Sequence, residues 1–372
     1  AFQSPEEALP YLKGWLVALK PQWKDRAEER AEILLSEIER HPPLRRVLDN
    51  PLLLRLIAEV YAATEGVARN RAEIYERWVE ELWKRAVRRG APKEKKDHAL
   101  KRLEEVAWRM HNGLQVDLPQ EDQELLREKM GFLVHVDRGR MVFSHETVRE
   151  YFVARRLKRA WEENRSGTWK FLRPRLHIPA WYEPLLLFAG MLCEEHATHL
   201  IQRVVRAHSP YDRYLGRDLI LALRIWGEAR EASSEIGDSL IRKALNHPER
   251  GVREAAARAL GEIGSPEAVS GLVQAVKDND EDRSVRWAAA RALGEIGSPE
   301  AVSGLIQALK DEDEEVRGAV VWALAEIKSP EAVSGLIQVL EDEDVSVRWA
   351  AARALGKIKP PEAVSHLIQV LR

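Results

Sequence analysis

Along the first 160 residues, apolar positions recur every three or four places with polar ones between them, which is the period of amphipathic helices. The spacing predicts helices over residues 5–19 and 25–40, and another opened by Asn50 and Pro51 in DNPLLLRLIAEVY, residues 49–61. Asn70 is placed to cap the next helix, with Glu73 at capping-box distance and Ile74, Trp78, Leu82 and Ala86 as its apolar stripe. Helices over 97–110 and 119–130 follow, the second stopped by Gly131. The period then falls to two: FLVHV and RMVF alternate around DRGR, which predicts a hairpin. FSHETVREYFVARRL, residues 143–157, returns to the helical period, with Ser144 placed to cap and Val148, Tyr151, Phe152 and Leu157 on one face. His145 sits at this junction. A helix start offers unpaired N–H groups and a positive dipole end, so a polar side chain there suits an anion, although a histidine can equally just finish the strand.

From Ser234 the pattern repeats. SPEAVSGLVQAVKDNDEDRSVRWAAARALGEIG begins at Ser265, SPEAVSGLIQALKDEDEEVRGAVVWALAEIK at Ser298 and SPEAVSGLIQVLEDEDVSVRWAAARALGKIK at Ser329. A degenerate copy starts at Ser234 and a fifth opens at Pro360, with a period of 31 residues and two extra before Val285. Each copy reads as two helices. Ser265 caps the first, Pro266 occupies its first turn, and Val269, Leu272, Val273 and Val276 form its buried stripe. Val285, Ala289, Leu293 and Ile296 face inward from the second, where alanines allow close approach. Such units bury their apolar faces only by stacking on one another. The acidic loops between the paired helices have no glycine-turned ligand geometry, so their carboxylates are expected to cap helices and pair with arginines rather than hold calcium.

Composition narrows the classes. The 372 residues are 45% hydrophobic and their charges cancel to −2, so a soluble protein of several domains is expected, with no global field for nucleic acid or membrane. One cysteine, Cys193, excludes an internal disulfide and fits a cytoplasmic location. No apolar run reaches membrane-span length. Cys193, His196 and His199 drift around a helix axis and make a poor zinc set, and no metal ligands are assigned. Trp108, Trp161, Trp169, Trp181 and Trp226 read as core anchors. The chain lacks an initiator methionine and stops where another helix is due, so it is expected to be part of a longer protein.

The C-terminal copies resemble HEAT repeats of the phycobilisome-lyase type, with Val–Arg pairs at 285–286, 316–317 and 347–348 and preceding aspartates Asp282, Asp313 and Asp344. The resemblance covers residues 234–372 and implies an α-solenoid whose second helices line the concave side. Two and six residues after each repeat valine stand Glu254 and Arg258, Trp287 and Arg291, Gly318 and Trp322, and Trp349 and Arg353. These i,i+4 pairs share one helix face. Arg258, Trp287, Arg291, Trp322, Trp349 and Arg353 are therefore candidate partner-binding residues, against the alternative that the rings pack as filler between repeats.

Residues 1 to about 230 resemble the latter half of a NACHT module, the nucleotide switch of STAND-class ATPases, on the ordered set AFQSPEEALPYLKGWL, NPLLL, NRAEIYERWVEEL, FSHETVREYFVARRL, WYEPLLLFAGML and RDLILALRIWGEA. The implied fold is mostly α: a helical domain over 1–66, a winged helix with a small β-hairpin over 67–160, a helical linker over 161–233 and the HEAT solenoid over 234–372. The resemblance places Pro51 beside the adenine and His145 near the β-phosphate of bound ADP, making His145 a latch; Val148 and Arg149 depart from the usual aromatic and glutamine. It implies ATP or ADP with Mg in the intact protein, a protein trigger on the concave HEAT face, homo-oligomerisation on activation and a role in antiphage defence. No GxxxxGK[ST] loop or acid-ended strand occurs, so this chain alone is not expected to hydrolyse ATP or hold the nucleotide. The acidic helix over 119–130 disfavours DNA. Two rival readings remain: a HEAT scaffold or adaptor without nucleotide switching, and a bilin-protein lyase or chaperone, for which no chromophore-binding set is found.

Overall fold

Asn50 and Pro51 act as their order predicts. The Asn50 side-chain oxygen accepts the N–H groups of Leu52 and Leu53 at 3.0 and 3.3 Å, and Pro51 opens a helix whose first N–H would go unused. In the computed structural model of the protein, residues 5–358 are described apart from 42–43, 45–46, 49, 137–139, 230–232 and 279–281. The fifth repeat copy, at 360–372, lies outside the described residues. The chain divides into two compact units, Ala1–Ile201 with Glu228–Ala232, and Gln202–Gly227 with Ser233–Arg372. Among the described residues nearly all regular structure is helical, and no helix is long and apolar enough to cross a membrane.

In the first unit, α1 (Pro5–Leu19) packs on α2 (Ala27–Arg40) and α3 (Pro51–Thr64), fully burying Leu12, Leu16, Leu34, Ile38, Leu54 and Ile57. Each such side chain withdrawn from water contributes about 1.5–3 kcal/mol. Next comes α4 (Arg71–Arg88), capped by Asn70, whose side-chain oxygen accepts the Glu73 N–H at 2.9 Å. Glu73 reaches back to the N–H of Arg69 at 2.8 Å, one residue before the capping-box position. The buried stripe differs from the predicted one. Ile74, Tyr75, Val79, Trp83 and Ala86 are buried, while Trp78 and Leu82 are half-buried. The reason is that α4 has partners on several sides, α3, α7 and α9 among them, and the Trp78 indole must keep its N–H on Glu59 at 3.2 Å.

The rest of the unit consists of α5 (Lys96–His111), α6 (Gln120–Gln123) running into a π-helical turn at Glu124–Lys129, strands β1 (Leu133–Val136) and β2 (Arg140–Phe143), then α7 (Glu146–Glu163), α8 (Arg165–Leu172) and α9 (Pro179–Gly190). The strands pair antiparallel as the alternation predicts, with Leu133 opposite Phe143 and Val134 opposite Val142. Gly131 ends the preceding turn at φ 77°. Ser144 does not cap α7: its N–H extends the hairpin by bonding the Phe132 carbonyl at 2.9 Å, so the cap falls one residue later, on His145. Phe132, Phe152, Trp161 and Phe188 form the aromatic interior over which α7 and α9 meet. Residues 185–188 are buried in α9, as their unbroken apolar run predicts.

The second unit takes in the end of α10 (Glu194–Val205), α11 (Asp212–Leu215), most of α12 (Arg217–Glu228), and then the repeats. Their first helices are α13 (Ser234–Leu245), α15 (Pro266–Lys277), α17 (Val302–Ala308) and α19 (Val333–Gln338). Their second helices are α14 (Arg250–Ile263), α16 (Arg283–Ile296), α18 (Glu314–Ile327) and α20 (Val345–Ile358). The second helices stack in order, α14 on α16 on α18 on α20. Val285, Ala289, Leu293 and Ile296 are buried as predicted. The close approach is made at glycine: an ideal Cβ on Gly261 would fall 2.8 Å from the Cβ of Ala292.

Candidate docking surface

The acidic loops hold the repeats in register. Asp313 accepts the N–H groups of Glu315 and Val316 at 3.0 and 3.3 Å, and Asp344 those of Ser346 and Val347 at 2.9 and 3.1 Å, so each caps a second helix. Two residues earlier, Asp311 takes Arg286 of the preceding repeat in a bidentate pair at 2.7 and 2.9 Å, and Asp342 takes Arg317 at 2.8 and 2.9 Å. Both pairs are buried or nearly so. Burial alone would push the Asp342 carboxyl up, but the Arg317 guanidinium and the Asp344 N–H outweigh it and hold the group below the usual carboxylate range. Arg317 also donates to the Asp311 carbonyl at 2.9 Å. These carboxylates are spent on caps and arginines, as expected from the sequence.

With that register fixed, the second helices present a grid of side chains at four-residue steps. On α16 it reads Arg283, Trp287, Arg291, Glu295; on α18 Glu314, Gly318, Trp322, Glu326; on α20 Val345, Trp349, Arg353, Lys357. The three indoles are not equivalent. Trp322 is half-buried and lies on Gly294 of the preceding repeat, where an ideal Cβ would come within 2.5 Å of its ring. Trp287 and Trp349 are 37% and 64% exposed. The Arg291 guanidinium lies 3.6 Å from the Trp322 ring centre and 5.9 Å from that of Trp287, and Arg353 lies 5.4 Å from that of Trp349. Arg258, one repeat back on α14, instead pairs with Glu254.

Residues 237–311 and 302–372 match the model of a family described as HEAT repeats, and the C-terminal part of the chain is built of them. Comparison with curated proteins returns no match. Among solved structures, the crystal structure of an engineered protein aligns with 97% of this chain and 97% of its own at 17% identity, but its TM-score of 0.30 is too low to relate the two folds.

In the first unit, Pro51 is exposed at the first turn of α3, and its carbonyl accepts the Tyr11 hydroxyl at 3.1 Å. His145 is the cap of α7: its Nδ1 accepts the Thr147 N–H at 3.2 Å and lies 3.0 Å from the Thr147 hydroxyl. The two residues therefore start different helices, each packed on α4. Trp181, Trp161 and Trp226 are buried, and Trp108 stacks into a cluster with Phe171 and Trp181 at 5.0 and 5.5 Å.

One exposed apolar site escaped sequence reading. Tyr211, 77% exposed, stands with exposed Tyr214 and Leu215 on α11, and the backbone of His208 and Tyr211 is left-handed at φ 52° and 63°. The loop is fixed from beneath, where buried Asp218 accepts the Ser209 N–H at 2.8 Å and Asp212 accepts the Asp218 N–H at 2.7 Å. Non-glycine residues in that backbone region carry no sequence signature; the only local hint is the loop SPYDRYLG.

Proposed function

We propose that this protein is a protein-binding scaffold whose HEAT repeats dock a partner on the exposed face of α16, α18 and α20. The observation that carries the reading is the pair Trp287 and Trp349, two exposed indoles at equivalent positions of copies two repeats apart, each with an arginine beside it. Large aromatics flanked by guanidinium groups are the chemistry of interface anchors. The resemblance to HEAT proteins implies that this face is the concave side. The test compares partners retained by the wild-type chain and by Trp287→Ala/Trp349→Ala, followed by titration of any retained protein in purified form. Loss of on the order of tenfold or more in affinity, with unchanged circular dichroism, is expected; equal affinity removes these rings from the surface.

The motifs of the first unit carry a finer reading, in which the chain is the regulatory and sensor region of a STAND-class signalling protein. Trigger binding by the repeats would free a winged helix over 67–160 and permit homo-oligomerisation. The observation in its favour is His145, which caps α7 through Nδ1 and so keeps Nε2 on an exposed ring at a helix start. The phosphate-binding lobe would have to come from elsewhere in the intact protein, and no nucleotide step is assigned to these residues. In that protein, His145→Ala should speed ADP release and raise basal signalling. Unchanged ADP retention rejects the latch.

A further inference from the structure

We infer that the segment docking on this face is an acidic peptide, with carboxylates seated on Arg291 and Arg353 and an apolar or aromatic side chain against the exposed indoles. The inference rests on the docking reading above and adds the chemistry of the partner. Three arginines share one row of the grid, and they are not in the same state. Arg258 is satisfied by Glu254. Arg291 lies against the Trp322 ring and Arg353 near that of Trp349, with no carboxylate partner among the described residues. A guanidinium that spends its fork on no carboxylate keeps it for a bidentate acceptor, and a carboxylate matches that fork.

Nor are the two arginines left over for want of acids. The ladder arginines Arg286 and Arg317 take buried aspartates and also draw Glu312 and Glu343, 85% and 86% exposed in the loops, to 3.6 and 3.5 Å, so these acids serve the ladder rather than this row. The neighbouring row of the grid separates a peptide from a nucleic acid. Glu262, Glu295 and Glu326 lie one turn from the arginine row; Glu262 pairs with Arg224 and Glu326 with Lys357, while Glu295 is exposed with no ion pair among the described residues. An evenly charged phosphate backbone would cross the Glu295 carboxylate beside Arg291, whereas a peptide can place its few charges only where the arginines are. Spacing sharpens the ligand. Arg291 and Arg353 stand on helices two apart, which at about 8–10 Å per helix step is roughly 16–20 Å. An extended chain covers that distance in about five or six residues.

The experiment is selection of displayed random dodecapeptides on the full chain, with counter-selection on Trp287→Ala/Trp349→Ala, followed by fluorescence anisotropy of the enriched peptides. The expected peptides carry two acidic residues about five or six apart with an apolar residue between. Their affinity should fall on the order of tenfold in Arg291→Gln/Arg353→Gln and less than about twofold in Arg258→Gln. Enriched peptides that need the tryptophans but are neutral or basic, and ignore the arginine changes, overturn the acidic assignment and leave the docking surface standing. Absence of any tryptophan-dependent peptide removes the docking surface itself. A single-stranded oligonucleotide that binds through the same arginines more tightly than the best peptide assigns the face to nucleic acid. Circular dichroism of each variant separates loss of binding from loss of fold.

Discussion

At Gly294 a hydrogen stands where an ideal Cβ would fall 2.5 Å from the Trp322 ring and 2.8 Å from the Cα of Ala323. The obstacles are a packed ring and backbone, so Gly294→Ala must part α16 from α18. It should cost about 1–3 kcal/mol in urea unfolding. Gly318, in the adjoining helix, has nothing within 4 Å of the same ideal atom. Gly318→Ala should gain about 0.5–1 kcal/mol, because only helix propensity changes. One substitution with opposite signs at two repeat glycines checks the stacking directly. His145 is a second residue whose role is local: His145→Ala should lose about 1 kcal/mol of stability and His145→Asn should keep most of it. That role was only half legible. The helix start could be read from the sequence, but Ser144 is the commoner cap type, and only the long-range bond from its N–H to Phe132 shows why it stays in the hairpin.

At the scale of elements, helix α7 carries a charge conflict. Glu150 faces Glu146 and Arg149 on its own helix, Glu183 from α9 and Arg71 from α4, and burial together with the two acids pushes its carboxyl up to about 7. A glutamate in the unfolded chain titrates near about 4.3. Between those two values the folded state keeps a proton that the unfolded state has lost, so this group makes stability fall as pH rises through the window and level off above it. Glu150→Gln should flatten that slope and melt above the wild type at about pH 8, with little difference near about pH 4, as read by circular dichroism. The environment responsible is illegible in any local pattern. Arg71 reaches Glu228 at 2.6–2.9 Å across 157 residues of sequence, and Asn70 bonds the carbonyls of Gly190 and Glu228 at 2.9 and 3.0 Å. The cap at Asn70 was readable from its spacing to Glu73; its second task, fastening the Glu228 backbone to the start of α4, was not. The same multiplicity of partners moved the buried stripe of α4 away from Trp78 and Leu82.

At the scale of the molecule, the repeats were the most legible part because each copy restates the same caps, stripes and Val–Arg pair, while the first unit depends on contacts no period announces. A solenoid's stability is nearly a sum over neighbours, so the ladder pairs are where one copy depends on the next. Arg286 and Asp311 are each 3% exposed, and removing either leaves the other charged and buried. Arg286→Gln or Asp311→Asn alone should each cost about 3–5 kcal/mol. The loss should appear first in the amides of α18 and α20, as hydrogen exchange reads it, because copies beyond the break lose their anchor while α14 keeps its own contacts. Replacing both partners with apolar residues of similar size, Arg286→Met with Asp311→Leu, should recover most of the loss, since desolvation of the pair offsets much of its attraction. The Asp311 carboxylate also accepts the Asp313 N–H at 2.9 Å, ahead of the cap of α18. Recovery should therefore stop short of wild type by about 1 kcal/mol, the worth of one such bond. Full recovery would mean that the loop holds its shape without the aspartate, and no recovery would mean that the ion pair contributes strength as well as register.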